Sequence, residues 1–370
     1  MARGLPAALL AAGAFAVACP HAGASAVTTV RQCGLPEPTL AAGPTSFTDV
    51  WRRSSAGLTG GDSALSTRLP DGRVLWLFGD SFIGGLRSDG TREVDAPLIR
   101  NAVVVEDGDC LTTMYRGDRV APREYLPASN SPQHSWYWPN QPFVRAGRVL
   151  LFLTRLVRTG PGGWDFACSG SAVASLGLPD LGLDEMTRVP TVPHTYFGVA
   201  VLPAGPVTYV FGVDERRAPS KALLVARVRG DLMAGAWEYW DGRQWVARVG
   251  RAHAVLSLPS SQFSVVRARR RGLLLITQDG LGSRVLSFRA RRPAGPWRPG
   301  PDVATVPQVP GAMVYNAVPH VEFREHDRVL LSYSVNALAG TLDPVTLDPA
   351  QVHPELYRPR FTTARISLAR

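Results

Sequence analysis

Lysine is all but missing from this sequence: Lys221 is the only one, so nearly all of the 40 basic residues are arginines, and against 30 acidic ones they leave a net charge of +10. Such a balance suits anionic envelope polymers or nucleic acid. The arginines are scattered, however, with only "RARRR" from residue 267 and "RARRP" from residue 289 as local clusters. No zinc-finger, basic-zipper or helix-turn-helix pattern goes with them, so nucleic acid is not an expected partner and the charge reads as solvated surface. Helical periodicity is scarce as well, which argues against helical bundles and parallel α/β folds. Beyond the N-terminal residues no apolar run approaches the ~18 residues needed to span a membrane. Cysteine is rare, and the spacings of 77 and 58 residues between Cys33, Cys110 and Cys168 match no metal-binding pattern. Serine-hydrolase, phosphate-loop and zinc-protease signatures are absent too. Neither a metal nor a cofactor is expected.

What is present begins with a secretory signal. Arg3 precedes the apolar run "LPAALLAAGAFAVA", and Ala24-Ser25-Ala26 is a small-residue cleavage site. Residues 1–26 are therefore expected to be a signal peptide, with the mature chain starting at Val27. A second reading makes Cys19 of "AVAC" a lipid-modified first residue. Either way the protein is expected to be secreted or held at the cell surface, where an oxidising compartment allows one disulfide. Cys33 with Cys110 is the favoured pair, since it would staple the irregular N-terminal segment to the body; three small core residues are the alternative.

The rest of the chain, 45% hydrophobic and 19% charged, is globular in composition. Short β-rich runs bounded by Gly, Pro and Asp recur along it. Five similar strands stand out, "RVLWLF" at 73, "RVLLFL" at 148, "PVTYVF" at 206, "RGLLLI" at 271 and "RVLLSY" at 328, spaced by 75, 58, 65 and 57 residues. Each follows a turn signal and has a strand-like run before and after it. An all-β, five-bladed β-propeller is the expected architecture. Residues 47–370 would form it as a single domain, after an N-terminal segment at 27–46. Its units lie near 47–120, 130–185, 190–250, 255–305 and 310–370. A missing strand would be borrowed from residues 33–50.

In a propeller hairpin the start of the first strand and the end of the second lie at one end of the axis. Reflecting positions about each turn predicts the facing residues to within one position. Asp62 falls opposite Asp80, Tyr137 opposite Arg155, and His194 opposite Asp214. Gln262 falls opposite Gln278, or Ser261 opposite Asp279 with a slip of one, and Asn316 falls opposite Asn336. These polar residues, with Trp136, Trp138, Asn140, Tyr196, Tyr315 and His320, would form a carbohydrate-type mouth with aromatic faces for sugar rings and planar side chains for hydroxyls. Facing residues have Cβ atoms roughly 4.5–5.5 Å apart, close enough for one carboxylate to raise the pKa of the other. Asp62 and Asp80 are the expected catalytic pair, with His194 and Asp214 as further catalytic candidates.

The stretches "GGDSALSTRLPDGRVLWLFGDSFIGG", "NAVVVEDGDCLTT", "WYWPNQPFVRAGRVLLF", "RVLSFRARRPAGPW" and "YNAVPHVEF" resemble secreted bacterial five-bladed propellers of unknown function. These are related to the arabinanase, levansucrase and arabinofuranosidase clan, and some relatives are endo-D-arabinanases. The resemblance implies a glycoside hydrolase acting on a furanose-containing, arabinan-type polysaccharide or oligosaccharide. It also implies three acids, one on the inner strand of each of the first three blades. Asp62 matches the first; Asn140 and His194 stand where the others would be, leaving Asp80, Asp214 or Glu215 as substitutes. A monomer is expected. The alternatives are a noncatalytic glycan-binding propeller and a scaffold for envelope proteins.

Overall fold

Tight turns set the strand pairing. Between Ser135–Arg145 and Arg148–Arg158 the two loop residues, Ala146 and Gly147, take φ of 50° and 74°, and Arg145 faces Arg148. Positive φ at both positions gives a turn whose twist matches the strands it joins. In "PDG" the work is done by Gly72 at φ 95° and by the Asp71 carboxylate, which accepts the Arg73 amide. The computed structural model describes residues 26–93, 95–128, 134–269, 272–337 and 352–369. The expected signal peptide, Cys19 included, lies almost wholly outside these residues.

Five antiparallel sheets follow one another along the chain. In the first, the order is Val27–Gln32, Cys110–Gly117, Ala102–Asp107, Val74–Phe78 and Leu65–Arg68. The second is Ser135–Arg145, Arg148–Arg158, Phe166–Gly177 and Leu183–Val189. The third runs Thr195–Ala204, Val207–Arg217, Ser220–Arg229 and Trp237–Trp240. Phe263–Ala268, Gly272–Gln278 and Arg284–Ala290 make the fourth, and Ala312–Glu325, Arg328–Ala337 and Arg360–Arg365 the fifth. A smaller sheet pairs Ala56–Gly61 with Ser81–Gly85. The first strands of the five sheets touch in sequence: Leu65–Arg68 meets Ser135–Arg145, then come Thr195–Ala204, Phe263–Ala268 and Ala312–Glu325, which returns to Leu65–Arg68.

Second strands are buried on both faces. All of Val74–Phe78 is buried, with Trp76, Leu75, Leu77 and Phe78 fully enclosed, as expected of strands whose two faces both meet neighbouring sheets. One expectation fails here. Residues 33–50 lend no strand; Pro44–Arg53 is an α-helix that buries Phe47, Val50 and Trp51 against Trp76, Phe78 and Phe361. Pro44 opens it, where a missing N–H costs nothing. The outermost strand of the first sheet comes instead from Val27–Gln32, which faces Leu111 to Arg116. Cys33 and Cys110 form the disulfide and Cys168 is a free thiol. Among the described residues no helix is long and apolar enough to cross a membrane.

Candidate functional site

The corner "FGDS" owes its shape to a change of partner. Val74–Phe78 pairs with Leu65–Arg68, whereas Ser81–Gly85 crosses to Ala56–Gly61, where Gly61 faces Ser81. One step beyond that pair stand Asp62 and Asp80. The Asp62 carbonyl accepts the Gly79 amide at 3.1 Å. Gly79 is also the only residue that fits there, because a Cβ on it would lie 2.5 Å from Asp62 Oδ1. After Asp62 the chain passes through Ser63 and Ala64 at φ 71° and 42°, a conformation that costs ~1–3 kcal/mol per non-glycine residue and collects at functional sites. The Ser63 amide donates to Ser334 Oγ of the fifth sheet, which helps hold it.

Asp62 and Asp80 meet opposite surroundings. Asp62 is neighboured by hydroxyls: Tyr315 donates to Oδ2 at 2.9 Å and Tyr357 also hydrogen-bonds the carboxyl. Burial, and then the charge of Asp80, push Asp62 up to about 7. Asp80 instead holds an ion pair with Arg100 at 2.7 Å, and its other oxygen accepts Trp138 Nε1 at 2.8 Å. Burial raises its pKa too, against the opposing pull of Arg100 and Trp138. Of the two, Asp80 has the cation and the N–H donor, so the negative charge rests on Asp80 and the proton on Asp62. The Asp80 side chain stays 17% exposed and Asp62 is half-buried, so both remain within reach of solvent. Arg100 lies 4.5 Å from the centroid of the buried Trp136 ring.

Two of these residues had no sequence signal. Arg100 precedes a strand in an ordinary loop. Tyr357 arrives on a distant segment: Arg358 beside it donates to the carbonyls of Thr59, Ser54 and Arg52, and the Tyr357 carbonyl accepts the Gly61 amide.

The remaining expected site residues divide. Tyr137 faces Arg155 in the register, but its side chain packs in the core with Leu77 and Val103, and Arg155 bonds Ser169 Oγ at 2.9 Å. Asn140 is buried and donates to Thr154 Oγ1. The pairing of His194 with Asp214 slips by one: Thr195 faces Asp214, His194 is exposed at φ 60°, and Asp214 is ion-paired to Arg216 at 2.6 Å. That ion pair, through its hydrogen bonds first, lowers the pKa of Asp214. The neighbouring Glu215 turns instead to Tyr196, whose hydroxyl donates at 3.2 Å, and to Ser261 Oγ at 2.7 Å.

Gln262 lies one step beyond the Phe263–Thr277 pair, and its Nε2 is buried with no partner among the described residues. Gln278 is a tie between sheets, bonding the backbone of Gly282, Val314 and Ala317. Asp279 is exposed beside Arg284. Asn316 does not face Asn336: a bulge after Tyr315 puts Met313 there, and Asn316 takes φ 55°. Asn336 keeps a buried Oδ1 without a partner among the described residues. His320 is no surface ligand contact either; it is 1% exposed, bonded to Ser66 and packed between Trp76 and Phe361. Burial pushes it down to about 3, so it is neutral. The structure thus gathers Asp62, Asp80, Trp138 and Tyr315 into one cluster with Arg100 and Tyr357, and Tyr196 into a second with Glu215 and Ser261.

Fold and site together define a glycoside hydrolase-like propeller with a paired-carboxylate corner. The chain belongs to the family described as a domain of unknown function, DUF5005, which matches residues 45–365. Among solved structures it is similar to a candidate hydrolase from Bacteroides ovatus, with 19% identity, a TM-score of 0.66, and coverage of 86% of this chain and 88% of that one. Similarity extends to an endo-arabinase from Bacteroides thetaiotaomicron at 10% identity and a TM-score of 0.46, covering 85% of this chain and 98% of that one. An α-L-arabinofuranosidase from Podospora anserina, solved with cellotriose, is similar at 11% identity and a TM-score of 0.46, over 89% of this chain and 94% of that one. None of the curated proteins compared with the sequence matches it.

Proposed function

We propose that this protein is a secreted, monomeric glycoside hydrolase with a five-bladed propeller spanning residues 47–370, acting on a furanose-containing, arabinan-type polysaccharide. Five successive meander sheets whose first strands touch in a cycle support the blade count, and the Cys33–Cys110 disulfide supports an oxidising compartment.

The observation that carries the chemistry is the unequal carboxylate pair. Glycoside cleavage needs an acid for the departing oxygen and a carboxylate beside the positive charge that grows on the sugar ring. Two carboxyls whose surroundings push them apart supply both roles. Asp62, protonated up to about pH 7, gives its proton to the glycosidic oxygen. Asp80, held by Arg100 and Trp138, stays ionised and stabilises the ring.

The test is a screen of plant and bacterial cell-wall polysaccharides with product analysis. Wild type should release oligosaccharides, with a rate that falls as pH rises through about 7. Asp62→Asn and Asp80→Asn should each lower that rate at least ~100-fold, in the range of a lost acid or base, while far-UV circular dichroism stays unchanged. An unaltered product profile in both variants would sink the assignment. A noncatalytic glycan-binding propeller is the second reading, favoured by Asn140 and His194 standing where the clan pattern has acids; it predicts saturable binding without release.

A further inference from the structure

Between Arg148–Arg158 and Phe166–Gly177 the chain makes a loop, residues 159–165, at the same end of the second sheet as the carboxylate corner. The loop is tightly built. The Thr159 amide donates to the Asp165 carbonyl, the Asp165 amide to the Gly162 carbonyl, and the Gly162 amide to Asp165 Oδ2 at 2.8 Å. Gly160 and Gly162 have no room for a side chain, since a Cβ on them would lie 2.5 and 2.9 Å from Asp165 Oδ2. Arg158 fastens the loop to the body, donating to the Gly162 carbonyl while its guanidinium lies 5.6 Å from the Trp136 ring centroid.

All this order presents one large side chain to water: Trp164 is 60% exposed. Its loop neighbours are Gly160, Pro161, Gly162, Gly163 and Asp165, so the loop forms no apolar patch of the size that protein or membrane docking needs. What it offers is one flat ring amid polar groups, and that ring begins a series. Trp164 and Phe166 are tilted by 35° with centroids 6.4 Å apart, Phe166 stands 5.1 Å from Trp138, and Trp138 Nε1 donates to Asp80. Arg155 and Ser169, bonded to each other on the strands flanking the loop, are hydroxyl-binding groups at the same end.

We propose that Trp164 is an outer stacking platform for a sugar ring, several residues along the glycan from the ring at Asp62 and Asp80, so that the ligand is a polysaccharide chain and not a mono- or disaccharide. Three aromatic rings in succession connect the exposed rim to the carboxylate, and aromatic faces bind planar or puckered rings without demanding a fixed hydrogen-bond pattern. This inference rests on the glycan reading of the site but not on hydrolysis.

The test is affinity electrophoresis of the full chain in native gels containing soluble arabinan or arabinoxylan, run on wild type, Trp164→Ala, Trp164→Phe and Val120→Ala, the last a 91% exposed control away from this loop. Wild type should be retarded, Trp164→Ala should need about tenfold more polymer for the same retardation, and Trp164→Phe should recover most of it. Val120→Ala should behave as wild type. Equal retardation of Trp164→Ala and wild type overturns the proposal, as does a wild type retarded by neither polymer. Melting temperature serves as the folding check. Trp164-dependent retardation without any released product would leave this proposal standing while removing the hydrolase assignment.

Discussion

At the scale of the residue, the carboxyl that makes Asp62 useful also makes it costly. Its folded pKa of about 7 stands above the ordinary 3.8, so the folded protein binds a proton there that the unfolded chain releases. Stability from this group is full below pH 3.8 and is lost as pH climbs to about 7. At ~1.4 kcal/mol per pH unit the loss is at most about 4 kcal/mol. Asp62→Asn carries no charge to bury. It should match wild type in urea denaturation at pH 3 and exceed it at pH 8, by up to that amount, while losing activity. A variant less stable than wild type at pH 8 would refute the burial of this carboxyl. The pairing with Asp80 was legible in the sequence because it depends only on the two-residue period of strands on either side of "PDG". The division of labour between the two was not, because Arg100, Trp138, Tyr315 and Tyr357 decide it, and Tyr315 is 253 residues away from Asp62.

At the scale of the element, reflection across a turn holds where the ladder is regular and breaks where it bulges. Tyr137 does face Arg155, and Phe263 faces Thr277, so the second and fourth hairpins follow the simple rule. The third and fifth carry irregularities after Phe197 and Tyr315, and each inserted residue shifts all that follows to the other face. Facing a partner also says nothing of depth: Tyr137 has the expected partner and lies in the core. The N-terminal strand shows a further gap, since nothing in "VTTVRQ" marks it as the outer neighbour of Cys110–Gly117. The Cys33–Cys110 disulfide closes the long connection between them, 77 residues. Removing that constraint should cost on the order of 4 kcal/mol by the loop-entropy relation. The paired Cys33→Ser, Cys110→Ser variant should therefore unfold at clearly lower urea than the oxidised protein, and reduction of wild type should reproduce the shift. A midpoint within error of the oxidised protein would mean the staple contributes little.

At the scale of the whole molecule, the last described segment completes the first sheet's site. Arg358 is buried and bonds three carbonyls at the end of the helix and in Ala56–Gly61, which seats Tyr357 against Asp62. Hydrogen bonds to a charged group are each worth ~1.5–3 kcal/mol, though burying the guanidinium offsets part of this. Arg358→Met should lose roughly 3 kcal/mol in chemical denaturation. With Tyr357 unseated, the carboxylate form of Asp62 loses a donor, so the alkaline limb of activity should move to higher pH. A stability loss with an unmoved limb would show that Arg358 holds the fold and not the site.

Composition, turn chemistry and strand period by themselves determined the class of fold, the five-fold recurrence and the local meeting of Asp62 with Asp80, because each depends on residues within one or two turns of chain. The tertiary structure alone decided which carboxyl keeps its proton, which polar residues are buried ties, and how an exposed ring at Trp164 leads back to Asp80. Burial and charge are set by everything within a few ångströms, and in a fold that brings residue 62 against residues 315 and 357 those neighbours are remote in sequence.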